Sequence, residues 1–196
     1  MEIEDEFNQI HPDDLWVYNK LQLSRKLGYI CGPAGMKVPK SGFYIVRPSI
    51  NFLGMGINSR IISLDSSTDH LNPGEFWCEL FVGEHLSVDF HNENNVLTVK
   101  GHRNSKNPLS KWNCWTKINR KIEFPLILRD LKKKYEWINC EMIGNNIIEV
   151  HFRQNPDFQY HNSIAIPVWR DKMLKIYKNM RYVESKDQER LGFWVK

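Results

Sequence analysis

In the segment IIEVHFR, residues 147–153, apolar and polar side chains alternate from Ile148 to Arg153. That period belongs to a strand with one face in a core and the other open, so Ile148, Val150 and Phe152 share one side and Glu149, His151 and Arg153 the other. The preceding stretch EWINCEMI, with Gly144-Asn145-Asn146 between, reads as its hairpin partner. A three-residue loop would pair Ile143 with Ile147 and set Glu141 directly opposite Glu149, Cβ atoms about 5 Å apart. Two carboxylates that close require a proton or a cation between them, and paired hard oxygens suit magnesium. Zinc is disfavoured, because a single histidine joins the carboxylates. The same alternation also describes an ordinary solvated sheet face on which Arg153 neutralises Glu149; the residues by themselves leave both readings open.

A chain of 196 residues with 41% apolar and 12% aromatic residues is long enough for one domain with its own core. No apolar run approaches the roughly 20 residues needed to span a bilayer. The start MEIEDEF lacks the regions of a secretory signal, which makes a cytoplasmic protein the expectation. Cys31, Cys78, Cys114 and Cys140 form no C-x-x-C pair and read as reduced, mostly buried thiols. The net charge of +4 is spread among interspersed acids and is weak support for a nucleic-acid partner. The stretch from Lys100 to Arg120, which carries Trp112 and Trp115, is where bases could stack, and this reading is not favoured.

Along the chain, residues 1–13 read as a polar lead-in and 14–196 as a single compact domain. Asp13 or Asp14 would cap one helix running to a stop at Gly28, and the glycine- and proline-dense CGPAGMKVPKSG would be a loop. FYIVRP, IISL, EFWCELF, EHLSVDF and NVLTVKG read as strands, with NFLGMG as a glycine turn between the first two. PLILRDLKKKY would be a helix behind Pro125, and a short amphipathic helix near DKMLKIYKNM would precede the apolar end GFWV. Helices and strands are mixed without regular alternation, which favours an α+β class with largely antiparallel pairing.

Five of these segments, in this order, resemble the ATP-grasp superfamily. IIEVHFRQNPDF is similar to its last core strand, YNKLQLSRKLG to its opening helix, and FYIVRP to its strand ending in a basic residue and proline. NFLGMG resembles its flexible glycine loop and FWCELFVGEHLSVDF its adenine hinge. The resemblance implies a nucleotide cleft between two subdomains, residues 14–90 and 91–196, with ATP and magnesium as cofactors. Lys20 and Arg47 would lie along the phosphates, and Gly54 and Gly56 would let the loop backbone approach them. Glu79, Leu80 and Val82 would hold adenine, Glu84 the ribose, and Lys100 and Arg103 would face the terminal phosphate. Glu141 and Glu149 would hold the metal, with His151 standing where the family usually has asparagine. Arg153 would pair with the oxygens of the transferred phosphoryl group.

The implied activity is an ATP-dependent carboxylate–amine ligase that works through an acyl-phosphate on small-molecule or peptide substrates and releases ADP and phosphate. Two alternatives stay open: a nucleotide-binding or scaffold protein that keeps this fold without turnover, and a modifier of a nucleic-acid-linked substrate. On this resemblance a short polar stretch would stand ahead of the opening helix where the family usually has an amino-terminal domain, and the compact form resembles short ATP-grasp proteins carried by some viruses and microbes.

Overall fold

The computed structural model describes residues 10–50, 56, 58–104, 108–158, 161–171, 175–184 and 190–196. Twelve strands in these residues form two antiparallel sheets. The smaller contains β1 (Cys31–Pro33), β2 (Gly42–Pro48), β3 (Arg60–Leu64) and β4 (Glu75–Glu79) in the order β1-β4-β2-β3. The larger contains β5 (His85–His91), β6 (Asn94–His102), β7 (Cys114–Lys117), β8 (Trp137–Ile143), β9 (Asn146–His151), β10 (Ile164–Trp169), β11 (Arg181–Glu184) and β12 (Arg190–Val195). Their order is β11-β12-β10-β7-β6-β5-β8-β9. The α+β class with antiparallel pairing expected from the sequence is the class observed. β4 and β5, which read as neighbours in the sequence, do not pair; the link at residues 80–84 carries the chain from one sheet to the other.

The opening helix divides in two. Residues Pro12–Val17 form a 3-10 helix and Lys20–Lys26 an α-helix, α1. Asn19 causes the break: its backbone is extended, and its side-chain oxygen accepts from the Gln22 N–H at 3.0 Å, so it begins a new helix. The caps are therefore His11 and Asn19 rather than Asp13 or Asp14. Behind Pro125 there are two short 3-10 turns, Leu126–Leu128 and Leu131–Lys133, in place of one helix. Their buried Leu128 and Leu131 are three residues apart, which suits that tighter repeat. Residues 175–180 form no helix. The first residues of the expected loop, Cys31–Pro33, are β1.

The hairpin loop is shorter than the spacing predicts. Ile143 pairs with Asn146 and Met142 with Ile147, leaving Gly144 and Asn145 in the turn. A bulge then leaves Ile148 without a partner and restores Glu141 opposite Glu149. The bulge also moves the core contacts: Ile147 and Val150 are buried, whereas Ile148 is only half-buried.

Three apolar clusters follow from strand alternation. Leu86, Val88, Phe90, Ile138, Cys140, Met142, Ile147 and Val150 form one face of the larger sheet, closed by Val17, Tyr18, Leu23, Leu128 and Leu131. Leu97, Val99, Trp115, Phe158, Ala165, Phe193 and Val195 pack together farther along it. In the smaller sheet Tyr44, Val46, Leu64 and Trp77 pack beneath Val38 and Leu71. Its opposite face carries Ile45, Arg47, Phe76 and Cys78 by the same alternation.

Candidate functional site

Lys20 begins α1, and its backbone N–H donates to Ser49 at the end of β2 at 2.8 Å, which anchors the helix beside the smaller sheet. From there its ammonium reaches Glu149 on β9 of the larger sheet at 3.1 Å. Glu149 also meets His151 Nε2 at 3.4 Å, and Glu141 meets His85 Nε2 at 3.3 Å. Because Glu141 lies opposite Glu149, Lys20, His85, Glu141, Glu149 and His151 belong to one polar cluster where the two sheets meet, and Arg47 acts electrostatically on both carboxylates.

Burial by itself would push both carboxyls up. For Glu149 this is outweighed by Lys20, His151 and Arg47, which hold it well below the usual carboxylate range. For Glu141 the His85 contact likewise outweighs burial and the repulsion from Glu149. Both are carboxylates at neutral pH. The Arg47 guanidinium lies over the Phe76 ring, 5.2 Å from its centroid, and is 7% exposed. Burial lowers its pKa, countered by the field of Glu149 and then of Cys78 and Glu141. Its buried Nε has no hydrogen-bond partner among the described residues.

The remaining expected residues divide by sheet face. Paired residues on neighbouring strands share a face, so Glu141 lies with Ser87 and, through β5, with Val99 of β6. Lys100, next to Val99, projects from the opposite face and pairs with Glu84 at 2.5 Å, which in turn meets Arg120 at 3.1 Å. Lys100 and Glu84 thus form their own group away from the carboxylate pair. Arg103 lies over Trp112, whose ring is edge-on to His85 at 4.4 Å, and so connects to the Glu141 side through aromatic contacts. Arg153 follows β9 on the Glu149 side and acts electrostatically on Asp89. The Glu79 carboxylate accepts from the Ile30 N–H at 2.8 Å, while Leu80 and Val82 are exposed at the link between sheets. Gly56 lies in a turn at φ +61, closed by the Ser59 N–H; Gly54 lies outside the described residues. Of the two tryptophans proposed for base stacking, Trp115 is buried.

Several parts of the cluster were not singled out by sequence. His85 became a partner of Glu141 through register; the alternation in HLSVDFH is the signal that could have found it, because it puts His85, Ser87 and Asp89 on one face. Below them Asp89 accepts from the Asn139 side chain at 2.7 Å and from the Asn155 N–H at 3.0 Å. This network fastens the segment after Arg153 across the sheet. On the smaller sheet Phe43 and Ile61 stay exposed on the face that carries Ile45, away from the local core.

A divalent cation is chemically compatible with the carboxylate pair: both groups are ionised, both are hard oxygen donors, and their protein contacts at 3.3–3.4 Å to histidine are long. Among the described residues, however, no three or more His, Cys, Asp and Glu side chains are gathered as a metal-holding group. The pair fits an ion that arrives with further oxygens of its own, such as phosphate and water. No helix among the described residues is long and apolar enough to cross a membrane.

No protein-family model matches the chain, and no curated protein matches it in sequence. In structure it is similar to an L-amino acid ligase from Bacillus licheniformis, at 11% identity and a TM-score of 0.45 over 73% of this chain and 42% of that one. It is similar to the ATP-grasp ligase PsnB, solved with a phosphomimetic variant of its minimal precursor, Mg and ADP (12% identity, TM-score 0.39, 71% of this chain and 50% of that one). A D-alanine–D-alanine ligase from Bacillus anthracis complexed with ATP matches at 14% identity and a TM-score of 0.34, over 70% of this chain and 54% of that one. The chain spans about half the length of the solved structures it matches.

Proposed function

We propose that this chain is an ATP-grasp-type ligase, binding ATP with magnesium in the cleft between its two sheets and joining a carboxylate to an amine. The observation that carries the reading is Arg47, a buried guanidinium whose Nε lacks a partner among the described residues, beside Lys20 and two ionised carboxylates. Burying a cation without a hydrogen-bonded counter-ion costs several kcal/mol, and a polyphosphate is the kind of ligand that would offset it. The exposed apolar side chains of Phe43 and Ile61, on the Ile45 face of the smaller sheet, suit a purine.

In this reading Lys20 and Arg47 neutralise the phosphate chain, and Glu141 and Glu149 hold magnesium. Bound ATP and magnesium supply the phosphoryl group and the charge that stabilises its transfer to the substrate carboxylate. Arg153 and Arg103 orient the acceptor end. An open hollow of about 620 Å³ beside Arg153, bordered by Tyr135, Trp137 and Phe152, offers room for that substrate. The amine completes the ligation, and ADP and phosphate leave. Amino acids, which offer both a carboxylate and an amine, are the first acceptors to try. An assay with ATP, magnesium and panels of carboxylates and amines is expected to release ADP and phosphate; AMP and pyrophosphate as products would overturn the reading.

A second reading is favoured by the Lys20–Glu149 contact and the absence of a three-ligand metal group among the described residues. In it the chain binds nucleotide without turnover. Calorimetric binding of ATP with no ADP formed across the panels would select it.

A further inference from the structure

β1 and β4 set two thiols against each other. Cys31 pairs directly with Cys78, Gly32 with Trp77 and Pro33 with Phe76. The backbone bonds at this seam run from the Glu79 N–H to the Ile30 carbonyl at 2.9 Å and from the Ala34 N–H to the Glu75 carbonyl at 3.1 Å. Antiparallel ladders alternate bonded and non-bonded pairs, so 30/79, 32/77 and 34/75 are the bonded sites, and Cys31/Cys78 is a non-bonded one. At non-bonded sites the Cα atoms stand about 4.5 Å apart, inside the range a disulfide spans. The Cβ atoms, about 4.5–5.5 Å apart across such a pair, need to close by about 1 Å.

The surroundings let that happen. β1 has three residues and is the edge of its sheet, so its far side is not tied to another strand. Gly32 has no side chain, and a Cβ there would lie 2.7 Å from the Trp77 ring; the indole crosses β1 at that point and donates to the Met36 carbonyl at 2.9 Å, which keeps the two strands in register. Cys31 is half-buried and reachable from solvent, whereas Cys78 is fully buried behind it. Neither thiol is in a disulfide, and the Cys78 thiol is hydrogen-bonded with the Ser24 side chain. The other two cysteines have no such option: Cys114 is on β7 and Cys140 on β8, with β6 and β5 between them.

We propose that Cys31 and Cys78 are a redox modification site, in which a peroxide oxidises Cys31 and Cys78 then closes a reversible cross-strand disulfide. In the first step the Cys31 thiolate sulfur forms an S–O bond as the peroxide O–O bond breaks and hydroxide leaves. In the second, Cys78 sulfur attacks Cys31 sulfur; the S–S bond forms, the S–O bond breaks, and the Cys78 proton leaves with the oxygen as water. Two thiols and one hydrogen peroxide become one disulfide and two waters, with two electrons passing from sulfur to oxygen. Desolvation raises both thiols, Cys78 to about 12; at Cys31 it is partly countered by Arg25 and then Arg47, against Glu79, and at Cys78 by Arg47. The first step therefore accelerates as the pH rises. The bond would form on the sheet face that also carries Ile45 and Arg47, since Ile45 pairs with Cys78 on its other side.

The test is peroxide treatment of the full chain in native buffer at pH 8, then intact-mass measurement and peptide mapping without reduction. The expected result is loss of two hydrogens per chain, a Cys31–Cys78 cross-linked peptide pair, and recovery of the original mass with dithiothreitol. The Cys114→Ser chain should behave as the parent, and the Cys31→Ser chain should lose the cross-link. Because the parent's own peptide map identifies the partners, the result does not depend on either variant folding. Sulfinic acid accumulating on Cys31 with Cys78 still free, or a cross-link between other cysteines, would overturn the proposal.

Discussion

The ammonium of Lys20 on α1 stands 3.1 Å from the carboxylate of Glu149 on β9, and the two side chains are 4% and 18% exposed. An ion pair removed from water in this way costs more to break than to make, because the surviving partner is left as an uncompensated charge.

Glu149→Gln is accordingly expected to destabilise the fold by about 3–5 kcal/mol, in contrast to a charge on a solvated strand, which would matter little. The double variant Lys20→Met, Glu149→Gln should recover much of the loss. Urea denaturation of the three variants checks this. The depressed Glu149 carboxyl adds stability that is present above its unfolded pKa and is lost as pH falls through its lower folded pKa, so the parent should lose more stability on acidification than the double variant.

Arg47→Met is expected to leave stability unchanged or improve it, since it replaces a buried cation by an apolar side chain of similar length. If the cleft takes polyphosphate, the same change should weaken ATP at least tenfold and leave adenosine within about twofold. Calorimetry with both ligands separates the outcomes; equal losses would mean that Arg47 does not meet phosphate.

Asp89 is pushed up to about 6 by burial, against the hydrogen bonds from Asn139 and Asn155. An acid whose folded pKa exceeds its unfolded one holds its proton longer in the native state, so its contribution declines as pH rises from about 4 to about 6 and is flat above. The difference is about 3 kcal/mol. Subtracting the pH–stability curve of Asp89→Asn from that of the parent should isolate this slope. A flat difference curve would show that Asp89 does not titrate there.

Gly83 has φ +149, and a Cβ on it would lie 2.8 Å from backbone atoms of Gly144 in the hairpin turn. Gly144 in turn donates its N–H to the Glu84 carbonyl at 2.8 Å. Gly83→Ala should therefore separate the inter-sheet link from the hairpin and cost about 1–3 kcal/mol, read by thermal or urea unfolding.

IIEVHFR was legible because period-two alternation is a local property of the chain, and FYIVRP, IISL and EHLSVDF because they are short strand-type runs bounded by turn residues. The opposition of Glu141 and Glu149 was legible too, although by a different route: a two-residue loop and a bulge at Ile148 replace the three-residue loop, and the two differences cancel. The single opening helix was not, because the Asn19 cap competes with helical propensity at a point where the apolar periodicity runs on unbroken. The short strands β1, β7, β10 and β11 carry little alternation of their own and form by pairing with neighbours far away in sequence.

What the sequence determined by itself is the hairpin and the chemistry on its polar face: two carboxylates, a histidine and an arginine at strand spacing. Only the tertiary structure decided what surrounds them. It brought Lys20 and Arg47 to Glu149 and His85 to Glu141, put Lys100 and Glu84 on the other face, and set Cys31 against Cys78. The physical reason is that side-chain alternation is set by the backbone of one strand, whereas the charge that balances a buried carboxylate comes from whichever element folding buries against it.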